Sequence, residues 1–140
     1  MDQFAAATVR LEGAEDLAGI LRAAYDVFEF MLPVIEGQHD PVSGAFTDFV
    51  MAGAYAADGR DALAFAPSLS AIAPGEATVA ACSPSALTAA TALAGLSRLL
   101  ADRLGDAAVS ATDPADRSAC LAGRRQADRI ATMLGRAAGQ

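Results

Sequence analysis

One histidine, a set of carboxylates, several hydroxyls and two thiols are the residues of this 140-residue chain that could do chemistry. His39 follows Glu36 by three residues, the Glu-x-x-His spacing with which helical bundles supply part of a carboxylate-bridged metal centre. A complete centre needs a second such pair and further carboxylates, and the chain has no other histidine. Gly37 and Pro41 also place His39 in a turn. The sequence therefore predicts no specific metal site. Cys82 and Cys120 are too few and too far apart for a zinc site or a disulfide framework, and are expected to be reduced structural thiols.

Among the carboxylates, Asp26, Glu29, Asp48 and Asp58 fall inside helical patterns. Glu29 stands between Phe28 and Phe30, where a half-buried carboxyl can act as acid, base or ligand contact. Arg22, four residues before Asp26 and seven before Glu29 on the same face, points instead to an ordinary ion-paired surface. Ser43, Ser83 and Ser85 are explained as helix caps, and no second histidine is there to activate them. The chain has ten arginines and no lysine, which removes Schiff-base chemistry, and it carries no glycine-rich phosphate loop. No catalytic residue and no cofactor follow from these patterns, and a carboxylate-only enzyme ranks third among the readings.

The elements that must position these residues are helices. Asp40-Pro41, Ser83-Pro84 and Asp113-Pro114 each place a capping side chain before a proline, which loses nothing at the first helical position. A further start lies near Ala14, where Glu15 and Asp16 favour the positive end of a helix dipole. From it, Leu17, Leu21, Ala24, Phe28, Met31 and Ile35 recur with bundle-seam spacing, and Pro33 should kink or end the helix. After Asp40 the seam is Val42, Phe46, Phe49, Gly53 and Ala56, with Gly59 as a stop and 60–66 as an extension or a separate turn. The third helix, Pro84 to about Leu104, spreads its leucines, Leu87 included, over more than one stripe and should be the most buried. The last, Pro114 to about Ala137, has a narrow seam of Cys120, Gly123, Ala127, Ile130, Leu134 and Ala137.

Short and long connections then set the topology. The expectation is a single all-α domain over 1–140, a four-helix bundle with its first two helices antiparallel and a long connection between the second and third. Residues 1–13 are expected to be an arm, extended or helical, with Val9 and Leu11 hinting at a strand.

Composition bounds the partners. A net charge of −7 and a pI near 4.4 disfavour nucleic acid, because each phosphate contact needs a local cation. The uncharged run 77–97 is dominated by Ala, Ser and Thr and is expected not to enter a membrane. With no basic-then-apolar opening segment, a cytoplasmic protein is expected, and the Ala-, Gly- and Arg-rich composition suggests a bacterial gene. Residues 113–140 hold five arginines and three aspartates, a local +2 in a chain of −7, so the preceding 112 residues carry −9. The basic segment should lie against carboxylates of its own bundle. Otherwise Arg124, Arg125 and Arg129 face outwards to an acidic protein partner, a second copy included.

Aromatics crowd the first two helices, and Phe28 and Phe30 point about 160° apart on a helix, so one needs cover beyond the seam. A subunit interface through Phe30 and Met51 would supply it. So would an apolar ligand pocket lined by Tyr25, Phe28, Phe49 and Tyr55, with Glu29 at its mouth. The leading expectation is a non-catalytic helical interaction protein, an adaptor or regulatory subunit that self-associates, with a dimer favoured. A small apolar ligand-binding bundle is the alternative.

Overall fold

A computed structural model describes residues 2–38, 44–69 and 85–139, and all regular structure among them is helical. Five helices are present: α1 (Gln3–Gly13), α2 (Leu17–Glu36), α3 (Phe46–Ala64), α4 (Ala86–Ser110) and α5 (Pro114–Ala137). The expectation of four is corrected at the N-terminus, where the arm is α1. Asp2 caps it by accepting the Phe4 N–H at 3.2 Å. Ala7 and Leu11, four residues apart, turn inwards while Val9 is exposed, so the alternation at Val9 and Leu11 belongs to a helix rather than a strand.

Helix α2 starts where Asp16 accepts the Gly19 N–H at 2.8 Å, and it buries Leu21, Ala24, Phe28, Met31 and Ile35 as the spacing predicts. Pro33 does not end it, since helical structure continues to Glu36. For α3, the Asp40-Pro41 start and Val42 lie outside the described residues; the helix begins at Phe46 behind Ala45, which makes no side-chain cap bond. Gly59 is no stop. It is a close approach, because a Cβ there would stand 2.4 Å from Phe28 Cζ, and α3 runs on to Ala64 before Phe65 points into solvent.

Ser83-Pro84 is likewise outside the described residues, and the observed cap of α4 is Ser85, whose Oγ accepts the Thr88 N–H at 3.2 Å. The helix continues past Leu104 to Ser110 and supplies much of the interior, although Leu87 is exposed rather than packed. Helix α5 follows its expectation. Asp113 accepts the Ala115 N–H at 2.8 Å with Pro114 at the first position, and Cys120, Gly123, Ala127, Ile130 and Leu134 are buried.

Neighbours define the packing: α2 lies against α3 and α4, α5 lies against the same two helices, and α1 rests on α2 and α4. Small residues let backbones meet. A Cβ on Gly53 would be 3.3 Å from Ile35, and one on Gly123 would be 3.0 Å from Leu63 and 3.2 Å from Leu104. One continuous apolar core results. None of the described helices is long and apolar enough to cross a membrane.

Candidate interaction surface

The surplus aromatic of α2 is covered within the chain. Phe30 meets Phe4 of α1 edge-on, with ring centroids 5.1 Å apart and planes at 83°. The need for cover that pointed to a subunit interface at Phe30 is therefore met by the arm. Met51 of α3 remains exposed.

Charges on this side are also paired. Asp26 accepts from Arg10 of α1 and from Arg22, the latter at 3.2 Å, and Glu29 meets Arg60 of α3 at 3.8 Å. Tyr25 lies beneath the Arg22 guanidinium, 5.8 Å from the ring centre. Burial, together with the neighbouring Glu29 carboxylate, pushes its hydroxyl above the usual tyrosine range. Between α1 and α2 this leaves a cleft of about 140 Å³ lined by Gln3, Ala7, Arg10, Asp26 and Phe30.

The five residues proposed for an apolar pocket are dispersed. Tyr25 and Glu29 share the polar strip just described, whereas Phe28 and Phe49 are 0% and 2% exposed in the core, with Phe28 wedged against Gly59. Tyr55 turns towards α5, where Arg129 stacks over its ring at 5.7 Å.

Helix α5 differs from this arrangement. The ion pairs among the described residues use Arg10, Arg22, Arg60 and Arg103, and none uses an α5 arginine. Among the described residues the basic helix thus makes none of the ion pairs with carboxylates of its own bundle that were expected of it. Its arginines meet other groups instead. Arg117 donates to the Ala111 carbonyl at 2.8 Å, Arg124 lies over Gly105, and Arg129 meets Gln126 and the Tyr55 ring. Arg124, Arg125, Arg129 and Arg136 are all exposed.

Shallow clefts flank the helix. One, of about 350 Å³, joins Arg117 and Arg124 to Val109 and Leu121, which are 87% and 44% exposed. Another, of about 280 Å³, joins Tyr55 and Met133 to Arg125, Arg129 and Arg136, with Asp128 as the one carboxylate of its lining. An arginine-fringed surface with apolar side chains at its centre suits a carboxylate-bearing partner, which the planar guanidinium recognises through two parallel hydrogen bonds.

Two structural residues escaped the sequence reading. Asp116, 2% exposed in the first turn of α5, accepts the Ser68 N–H at 2.9 Å and the Ser68 hydroxyl at 2.5 Å, tying the chain after α3 to α5. Its position three residues after the Asp113 cap gives no local sign of burial or of a partner 48 positions away. Arg103 reaches from α4 to the carbonyls of Leu11 (3.1 Å) and Ala14, closing the end of α1, and a long-range contact of that kind leaves no local signal.

Cys120 is a buried free thiol, and desolvation with the nearby Asp116 pushes it up to about 11, which makes it unreactive at neutral pH. His39 and Cys82 lie outside the described residues, and among the described ones no cluster has the makings of a metal site.

Compared with protein family models, curated proteins and solved structures, the chain matches none.

Proposed function

We propose that this chain is a non-catalytic helical interaction protein, an adaptor or regulatory subunit acting in the cytoplasm, whose α5 arginine face docks an acidic protein surface. The observation that carries the reading is the set of exposed arginines on α5 with no carboxylate partner among the described residues, in a chain whose other ion pairs are made internally.

The scaffold for this surface is a four-helix bundle of α2–α5 with α1 laid on its outside. Antiparallel pairing of α2 and α3 is supported by cross-contacts in reverse order, Phe28 at Gly59 and Ile35 at Gly53. Leu63 at Gly123 and Tyr55 at Arg129 support the same relation for α3 and α5. Helices α3 and α4 each lie between α2 and α5. The apolar-ligand reading has less support, because Phe28 and Phe49 already fill the core.

Fluorescence anisotropy with a labelled poly-glutamate peptide tests the surface. Binding at low ionic strength that fades with added salt, and is lost in the Arg125→Glu/Arg129→Glu variant, is the expected result. No binding at low salt, or binding indifferent to the double reversal, overturns the proposal.

A further inference from the structure

We infer that the acidic surface recognised by α5 is on a second copy of this chain, at the turn between α1 and α2; this rests on the reading of α5 as an acid-binding face. The turn and its surroundings expose Glu12, Glu15 and Asp16, and Arg103 brings Asp106 of α4 to the same end by bonding the Leu11 and Ala14 carbonyls while pairing with Asp106 at 3.2 Å. One guanidinium, directed mainly at backbone oxygens, thus stands among four exposed carboxylates. The two surfaces are opposite in sign and belong to one polypeptide.

They are also unpaired within a single molecule. The turn is held on α2 and α4 through α1, whereas α5 packs on α3 and α4, and among the described residues no ion pair joins an α5 arginine to Glu12, Glu15, Asp16 or Asp106. Complementarity that is not satisfied internally is available between copies, because every molecule that brings a basic face also brings an acidic end at the same concentration. Burial of Val109 and Leu121 beside Arg117 and Arg124 adds an apolar contribution to the contact. Opposed patches of this kind give association that is fast, specific and salt-sensitive.

Multi-angle light scattering and sedimentation velocity of the whole chain, at low and at high ionic strength, read the association directly. Expected is a species larger than a monomer at low salt that dissociates as the charges are screened. Arg125→Glu/Arg129→Glu and, separately, Glu12→Arg/Glu15→Arg should each weaken the association constant by more than about tenfold, since both place like charges in contact. Mixing the two variants should restore association, because the reversed face of one then meets the reversed end of the other.

All four residues are exposed, and circular dichroism of each variant checks that the fold is kept. A chain monomeric at every salt concentration overturns the inference, and so does association that survives either reversal or is not restored on mixing. If poly-glutamate still binds α5 while the chain stays monomeric, the acid-binding face stands and only its assignment to a second copy falls.

Discussion

The face built from α1 and α2 and the face built from α5 obey opposite rules. On the first, each feature that called for a partner has one inside the chain: Phe30 has Phe4, Asp26 has Arg10 and Arg22, and Glu29 has Arg60. On the second, the inward side is as well packed as any in the core, yet the outward arginines end on a ring, a glycine, a backbone carbonyl or solvent. The aromatic surplus that looked like an interface is thus part of the fold. The charge surplus of α5 is what finds no carboxylate among the described residues. Since exposed ion pairs contribute little to stability, the fold does not depend on these arginines finding carboxylates.

If the first face belongs to the fold, breaking it should cost most. Phe28→Ala removes a fully buried ring wedged against Gly59 and should destabilise by about 3–5 kcal/mol in chemical denaturation. Leu11→Ala should cost about 2–5 kcal/mol, because α1 is packed into the same core. Unfolding of α1 ahead of the rest would show it to be an appendage and weaken the contrast between the two faces.

Asp116→Ala probes the buried side of α5. It leaves the Ser68 N–H and hydroxyl without their acceptor and should cost about 1–3 kcal/mol. A cost near zero would mean that the tie to the chain after α3 contributes nothing.

The same side carries a pH signature. The Cys120 thiol is pushed up to about 11, so between the ordinary thiol range and that value the unfolded chain has lost a proton that the folded chain keeps. Stability should fall as pH rises through this window. Tyr25, shifted in the same direction, adds to the fall at its upper end. Denaturant midpoints measured across the window should decline less steeply in Cys120→Ala, and an unchanged slope would remove Cys120 as the cause.

The smallest effect is expected on the outer face of α5, where Arg125→Ala should change stability by no more than about 0.5 kcal/mol. Arg129→Ala should cost at most about 1 kcal/mol through the lost contact with Tyr55. Larger losses would make these arginines structural and erase the difference between the faces.

Much of the helical scaffold was legible because its signals are local. Asp113-Pro114 opens α5 where the capping chemistry says it must, and the α2 seam of Leu21, Phe28 and Ile35 is buried as its spacing requires. Gly59 misled because a glycine that ends a helix and one that admits a neighbouring ring look alike in sequence; only the position of Phe28 tells them apart. Residues 1–13 left an extended and a helical arm both open, because two apolar residues two apart fit a strand and a helix equally well until Ala7 is seen beside Leu11.

The sequence by itself determined that this chain is helical, that its last helix is basic on an acidic body, and that catalysis relying on lysine has no place in it, since propensity, capping and net charge are properties of residues and near neighbours. Which charges meet was decided by the tertiary structure alone. Arg10 reaches Asp26 across 16 positions and Arg103 reaches Leu11 across 92, while five α5 arginines find no carboxylate among the described residues. A direct ion pair needs its two charges within a few ångströms, and distances of that size between separated segments are set by how helices pack, which no local spacing encodes.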